Sequence, residues 1–209
     1  MEIKEPECKV VLIGDSGVGK TSIITRYITG KFSEQLISTN GANYASKNVK
    51  IEKLNANIIM DIWDTAGQEK YRAVTKFFFN GAEIGILVYE ISNLASFESV
   101  QKYWYPQLTQ NKSELIIGLV GNKADKYDQE EISEEDAKKY ADEIGATLYI
   151  TSSKNNSGIV NLFEDLGQKY IEKMSNKKKE NENKDLDDIT SVKLDINTVK
   201  KVNKRKKCC

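Results

Sequence analysis

The sequence lacks long apolar runs, an excess of charge of either sign and more than a few cysteines. No run approaches the roughly 18 apolar residues that a spanning helix needs, so we expect no transmembrane segment. Residues 1–7 carry acids and a proline instead of a basic and then apolar leader, so we expect a reducing compartment without disulfides. Cys8 precedes an apolar run and is predicted to be a buried strand residue, whereas Cys208 and Cys209 lie at the end of the sequence and need a chemical reason.

The net charge of zero conceals an asymmetry along the chain. From Asn176 onward there are 11 basic and 6 acidic residues, a net charge of +5, which leaves about −5 on the remainder. A body of that charge has no electrostatic attraction for nucleic acid, so we expect no nucleic-acid partner.

The order of the predicted elements indicates an α/β fold with a mostly parallel sheet flanked by helices. Short apolar runs alternate with polar loops and amphipathic stretches, and one antiparallel pair turns near Asn55. Predicted strands are Cys8–Gly14, Ala45–Glu52, Asn57–Trp63, Ile84–Tyr89, Leu115–Gly121 and Thr147–Ile150. Predicted helices are Gly19–Thr29 (ending at Gly30), Glu69–Phe79, Ser96–Leu108, Glu134–Ile144 (capped by Ser133) and Ile159–Lys173.

Residues 14–21, GDSGVGKT, match the phosphate-binding pattern G-x-x-x-x-G-K-[ST] between a strand and a helix. Glycines let backbone N–H groups converge on phosphate oxygens, and the helix start adds partial positive charge. Lys20 can neutralise the outer phosphates, and the hydroxyl of Thr21 can bind Mg²⁺. Because the flanking elements are those the mechanism requires, the alternative of a plain glycine-rich turn is weak.

Two further segments indicate which base is bound and what attacks the phosphate. Residues 64–68, DTAGQ, place Asp64 near Mg²⁺, Gly67 near the γ-phosphate and Gln68 where it could orient a water. Residues 122–125, NKAD, follow another strand, and the carboxylate of Asp125 can accept two hydrogen bonds from guanine, a donor pair that adenine lacks. Taken alone, residues 122–125 would be a polar turn, but their position after a strand favours base recognition.

With these motifs in this order, residues 8–174 resemble the Ras superfamily of small GTPases and, within it, the Rab family, of which they look most like the early-endosomal subfamily. The Rab likeness rests on residues 40–44 (NGANY), on residues 62–63 (IW), on residues 69–72 (EKYR) and on the terminal cysteine pair. The resemblance implies a P-loop NTPase fold with a six-stranded sheet, bound GTP or GDP with Mg²⁺, and action as a monomer. It also implies that Thr39 binds Mg²⁺ and the γ-phosphate and that Phe32 lies against the guanine.

The predicted site therefore has three sets of residues. The expected catalytic residues are Gln68, Lys20 and Thr39, and the expected Mg²⁺ ligands are Thr21, Thr39 and Asp64. The expected nucleotide contacts are Asp15, Ser16, Gly17, Val18, Gly19, Lys20, Thr21, Ser22, Phe32, Thr39, Gly67, Asn122, Lys123, Asp125, Ser152, Ser153 and Lys154.

Tyr44, Trp63 and Phe78 correspond to the family's aromatic triad that effectors recognise, although packing in the core would also explain them. Asn40, Asn80 and Ser153 depart from the family pattern. None of the three departures removes a group that binds phosphate or Mg²⁺, so we expect nucleotide binding to persist and partner choice to be affected.

The terminal Cys208 and Cys209 resemble a double geranylgeranylation site of the Rab family. Stable anchoring needs two lipid chains or one chain with a basic patch, and the preceding segment supplies six basic residues without acids. Those six residues are Lys200, Lys201, Lys204, Arg205, Lys206 and Lys207; a solvated charge run or a nuclear signal is the alternative. The rest of the tail is too polar to bury a core and is expected to be disordered, with an induced helix as the alternative.

The sequence thus predicts a short segment 1–7, a GTPase domain 8–174 and a tail 175–209. We expect a slow GTP hydrolase that cycles between two states and regulates vesicle traffic on the cytoplasmic face of an endosomal membrane. The implied partners are an exchange factor, a GTPase-activating protein, a dissociation inhibitor and effectors. The alternatives are a guanine-nucleotide-binding interaction module with negligible turnover and a P-loop kinase or ATPase.

Overall fold

The computed structural model of the chain describes residues 5–34, 42–65, 78–110 and 114–177. The chain divides into two compact units, Met1–Tyr170 and Ile171–Cys209. The strands of the described residues lie in the first unit, and in the second unit residues 171–177 are helical. The predictions for Thr39, Gly67, Gln68, Cys208 and Cys209, and for the tail beyond residue 177, lie outside the described residues.

A six-stranded sheet forms the centre of the first unit, as the alternating pattern predicted. The spatial order is β2-β3-β1-β4-β5-β6, and only the β2–β3 pair is antiparallel. β4 is buried at all seven positions, which explains why its sequence is apolar up to Glu90, because a parallel strand covered on both faces shows no alternation. The strands are β1 Glu7–Ile13, β2 Ala42–Ile51, β3 Ala56–Thr65, β4 Ile84–Glu90, β5 Ile116–Asn122 and β6 Thr147–Ile150.

The antiparallel pair is longer than the sequence pattern predicts. β2 begins at Ala42 instead of Ala45, and β3 ends at Thr65 instead of Trp63, because the ladder continues through the pairs Asn43–Asp64 and Ala42–Thr65. Asp64 also pairs with Leu12 of β1. The predicted position of Asp64 after the strand was therefore wrong: this carboxylate belongs to the strand, and the ladder fixes its backbone.

The helices agree with their predicted positions to within two residues at most ends. α1 (Lys20–Thr29) ends at Gly30, whose φ of 69° suits glycine and whose N–H donates to the Arg26 carbonyl. α2 runs through Leu94–Ser99, a π-helical segment Val100–Trp104 and Tyr105–Thr109. α3 (Glu134–Glu143) has Ser133 as its side-chain cap, as predicted.

The final helix of the first unit, α4, covers residues 159–170. Of the helix predicted at Glu69–Phe79, the structure describes only residues 78 and 79, which are helical. Within the described ranges, no helix is long and apolar enough to cross a membrane.

The parallel strands bring their carboxyl ends to one edge of the sheet. Ile13, Thr65, Glu90, Asn122 and Ile150 end the five strands that share one direction. In open α/β sheets this edge is where ligands bind, because the loops and helix starts converge there. The predicted phosphate and base segments begin at or just after the ends of β1, β3, β5 and β6, so the fold brings them together.

Candidate nucleotide-binding site

The loop between β1 and α1 depends on two glycines for its shape. A Cβ atom on Gly14 would lie 2.1 Å from the Val88 carbonyl oxygen, and one on Gly19 would lie 2.3 Å from the Asn122 amide nitrogen. Gly19 also has a φ of 98°, in the left-handed region that favours glycine. The backbone therefore passes closer to β4 and to Asn122 than any other residue type would allow, which fixes the loop at the start of α1.

Lys20, the first residue of α1, is almost completely buried within this loop. Its Nζ donates to the carbonyl oxygens of Gly14 and Asp15, both at 2.8 Å. Burial lowers the pKa of Lys20 to about 8, against an opposing attraction from Asp64 and Asp15. An ammonium has three N–H donors, so a phosphate oxygen can accept the third and offset the loss of water.

Thr21 and Asp64 meet beside this lysine. The Thr21 hydroxyl donates to Asp64 Oδ2 at 2.7 Å, and Asp64 is only 2% exposed. In the described ranges no group of three or more His, Cys, Asp or Glu residues could hold a metal. A hydroxyl and one carboxylate fit Mg²⁺, which prefers oxygen ligands and takes few from the protein when phosphates supply others.

Asn122, at the end of β5, uses its side chain to join three segments. Its Nδ2 donates to the Val18 carbonyl at 2.8 Å, and its Oδ1 accepts from the Thr151 hydroxyl at 3.0 Å. Because Asn122 is 1% exposed and bonded at both ends, its side chain holds the phosphate loop against β5 and the segment after β6.

The predicted base-recognition residues converge from two loops. The Ser152 hydroxyl donates to Asp125 Oδ1 and accepts the backbone N–H of Asn155. These bonds orient the Asp125 carboxylate and leave Oδ2 available to a base. Ser153 is buried, and its hydroxyl has no hydrogen-bond partner among the described atoms, whereas Lys154 is exposed and pairs with Glu34 at 2.9 Å.

Glu90 is a site residue that the sequence reasoning missed. Its two oxygens accept from Lys123 Nζ at 2.6 Å and from Lys126 Nζ at 2.7 Å. Burial raises the pKa of Glu90, but its bonds to the two lysines outweigh that effect and lower the pKa overall. A charged residue at the carboxyl end of an otherwise apolar strand was the available signal, since this edge carries the ligand groups.

Asp15 also has a role that its sequence position did not reveal. Its Oδ1 accepts from the Ser99 hydroxyl and from Trp104 Nε1, both at 2.8 Å. These two donors stand five residues apart, at the π-helical segment of α2, a rare local structure that often occurs at functional sites. The phosphate loop is therefore held by α2 as well as by β5.

Most of the predicted residues line one cleft of about 380 Å³, within the range of small-ligand sites, but Asp15, Val18, Asp64 and Ser152 are not among its lining residues. Its wall combines phosphate-loop residues, Phe32 and the base-recognition residues. The lining includes Ser16, Gly17, Gly19, Lys20, Thr21, Ser22, Phe32, Asn122, Lys123, Asp125, Ser153 and Lys154, together with Ser33, Glu34, Thr65 and Lys126. Val18 is buried beneath the loop, and Ser152 lies behind Asp125.

The three predicted surface aromatics contact one another in series. The rings of Tyr44 and Trp63 lie 5.2 Å apart, and those of Trp63 and Phe78 lie 5.7 Å apart. Tyr44 is 56% exposed, whereas Trp63 is partly buried against the core. Both predicted alternatives therefore apply within the cluster: Trp63 packs against the core, and Tyr44 lies at the surface.

Comparison with known proteins gives consistent matches over this same part of the chain. A family model described as the Ras family matches residues 9–172. Ras-related protein RabJ of Dictyostelium discoideum is 40% identical over 79% of this chain and 64% of its own, so the match covers slightly less than two thirds of that protein. Ras-related protein Rab-21 of Bos taurus is 39% identical over 78% of this chain and 73% of its own. Ras-related protein RABF2b of Arabidopsis thaliana is 34% identical over 79% and 82%.

The buried lysine predicts a pH dependence of stability. The folded pKa of Lys20, about 8, lies below its ordinary value of 10.5, so between these values the unfolded chain binds more protons. The free energy of unfolding of nucleotide-free protein should therefore rise with pH, by about 2 kcal/mol from pH 8 to pH 10. Denaturant unfolding across this range measures it.

Lys20→Met is the matched control for that measurement. Burial also lowers the pKa values of Lys9 and Lys47, and the variant keeps both groups. The difference between the two proteins thus isolates Lys20. Parallel pH curves for wild type and variant would contradict a lowered pKa at this position.

The bonds from α2 predict the effect of changing Asp15. Asp15→Ala removes the acceptor shared by Ser99 and buried Trp104, and should lower the free energy of unfolding by about 2 kcal/mol. Asp15→Asn keeps an amide oxygen in the same place and should retain most of the stability. Urea unfolding followed by circular dichroism compares the three proteins, and equal losses in both variants would refute the proposed role of the oxygen.

Proposed function

Because the chain belongs to the Rab family of small GTPases within the Ras family, we propose that it binds GTP and GDP with Mg²⁺ and hydrolyses GTP. The proposed role is that of a switch that regulates vesicle trafficking. Two states, set by the nucleotide, would control which partners the protein engages.

The observation that carries this proposal is the convergence of three groups in one cleft. Lys20 marks the phosphate end, Thr21 lines the cleft beside it and donates to Asp64, and Asp125 marks the base end. These residues are far apart in the sequence, and the parallel sheet brings them together. The cleft therefore matches an elongated ligand with phosphate at one end and a base at the other.

Guanine selectivity is proposed to come from Asp125. A carboxylate accepts hydrogen bonds only, and guanine presents N1–H and an exocyclic amine side by side. Adenine offers no such pair of donors, so bound ATP would leave this carboxylate without hydrogen bonds from the base. The bond from Ser152 holds the carboxylate in place before the base arrives.

Hydrolysis is proposed to proceed by in-line attack of water on the γ-phosphorus, with cleavage of the bond to the β,γ-bridging oxygen. Gln68 would orient the water, while Lys20 and the backbone N–H groups of the phosphate loop would stabilise charge on the transferring group. Mg²⁺, when bound, neutralises phosphate charge; Thr21, Asp64 and Thr39 would hold it. The unaided rate in enzymes of this type is on the order of 10⁻⁴ per second, so we propose a timer that an activating protein accelerates.

The proposed partners are those that membership of the Rab family implies. An exchange factor, an activating protein and a dissociation inhibitor would control the cycle, and effectors would bind near Tyr44, Trp63 and Phe78. Prenylation of Cys208 and Cys209, together with the adjacent basic residues, would attach the protein to an endosomal membrane. We propose residues 8–174 as the GTPase domain and 175–209 as the tail.

Asp125→Asn tests the proposed base recognition. The variant exchanges an acceptor oxygen for an amide donor, so affinity for GDP should fall about 100-fold or more, because two charge-assisted hydrogen bonds are lost. Xanthine carries an oxygen in place of the guanine amine, so affinity for XDP should rise in the same variant. Competition against a fluorescent nucleotide measures both.

Asp128→Asn is the matched control, since it makes the same change at another exposed carboxylate three residues away. It should leave the affinities for GDP and XDP unchanged. Tighter binding of ADP than of GDP by the wild type would refute the GTPase proposal.

Gln68→Leu tests the proposed hydrolysis. The variant should bind GTP as the wild type does but hydrolyse it at least about tenfold more slowly, since water would no longer be oriented. Single-turnover assays with GTP labelled at the γ-phosphate measure the rate. Equal rates in wild type and variant would contradict the role of Gln68, and a wild type without turnover would favour the interaction module.

A further inference from the structure

We propose that Arg26 is a positioning residue that slows nucleotide release. It joins the two flanks of the base pocket, the part of the cleft between Phe32 and Ser153–Lys154. This inference rests on the proposed function, because it assigns a role toward the same guanine nucleotide. Arg26 lies in the last turn of α1. It belongs to none of the motifs that predicted the site.

The guanidinium of Arg26 donates to three different backbone carbonyls. Nε donates to Ser153 at 2.7 Å, and Nη2 donates to Lys154 at 3.0 Å. Nη1 donates to Gly30 at 2.6 Å. One side chain therefore connects the end of α1 to a loop 127 and 128 residues further along the chain.

The same guanidinium lies 5.7 Å from the centroid of the Phe32 ring, within the range of a cation–π contact. The backbone carbonyl of Arg26 also accepts the N–H of Gly30. Both polar backbone groups of Gly30, two residues before Phe32, are thus bonded to Arg26. Phe32 forms one flank of the pocket and Ser153–Lys154 the other, so Arg26 fixes the separation between them.

A purely local role would be the capping of α1, for which a bond to Gly30 suffices. The bonds to Ser153 and Lys154 serve no cap, since those residues belong to the loop after β6. A second link between the flanks, the ion pair of Lys154 with Glu34, is exposed on both sides and contributes little. The connection therefore depends mainly on Arg26.

These three hydrogen bonds require an arginine side chain. Its planar fork directs Nε and both terminal nitrogens outward at fixed angles, whereas a lysine ammonium is a single point that cannot reach all three carbonyls. Arg26→Lys keeps the charge and loses the geometry. This variant therefore separates positioning from electrostatics.

The experiment measures release of mant-GDP after addition of excess GDP, for wild type, Arg26→Lys, Arg26→Gln and the control Lys31→Gln. Lys31→Gln removes a nearby positive charge that makes none of the three bonds. We expect release to be about tenfold faster in both Arg26 variants, because each loses at least two hydrogen bonds between the flanks. The control should release at the wild-type rate.

Two further readouts exclude a merely structural effect. The acceleration should have the same factor with Mg²⁺ and with EDTA, because Arg26 acts at the base end and not at the phosphates. Thermal unfolding followed by circular dichroism shows whether Arg26→Lys keeps the wild-type stability; faster release at unchanged stability supports positioning.

The outcomes distinguish this inference from the function on which it rests. Release by Arg26→Lys at the wild-type rate, while wild type binds GDP tightly, would overturn the role of Arg26 alone. Equal acceleration by Lys31→Gln would also overturn it, since charge and not geometry would then be the cause. A wild type that binds no guanine nucleotide would overturn both proposals.

Discussion

The hydrogen bond from the Asn122 amide to the Val18 carbonyl is the constraint on which the rest of the site depends. It joins the phosphate loop to the end of β5, and the partner bond from Thr151 adds the segment after β6. The approach is so close that Gly19 has no space for a Cβ atom. Because the bond is fully buried, losing it would leave polar groups unsatisfied, at about 1–3 kcal/mol each. Within the frame that the parallel sheet provides, this contact joins the phosphate end to the base end.

The phosphate end is built at the expense of stability without a ligand. Lys20 and Asp64 are both almost inaccessible to water, and burial lowers the pKa of Lys20 to about 8. A site that buries charge in this way gains free energy when an anion and a cation arrive, and a ligand that binds only the folded state stabilises it by mass action. The two hydrogen bonds that α2 donates to Asp15 hold the phosphate loop in this conformation despite the cost of burying charge. The preorganised site and the cost of its buried charges without a ligand thus have the same origin.

The sequence predicted the strands, most helix ends and most of the residues that line the cleft, because glycines, caps and apolar runs are local signals. It placed Asp64 outside β3, since the extent of an antiparallel ladder depends on the partner strand and not on local propensity. It missed Glu90, Trp104 and Arg26 for another reason. Each acts by touching a loop that is remote along the chain, and no spacing rule connects residues 26 and 153. Such supporting residues become visible only when the topology is known.

The charged residues at the two ends of the site differ in burial. Lys20 and Asp64 are enclosed, whereas Asp125 and Lys154 lie at the solvent-exposed end, where Phe32 of the segment after α1 also lines the cleft. Ser153 adds a weakness there, because its buried hydroxyl has no partner among the described atoms. Local opening costs least where few buried contacts must break, so nucleotide should leave after the base end opens. The bonds of Arg26 to Ser153 and Lys154 lie at that end, which is why we propose that this partly exposed side chain slows release.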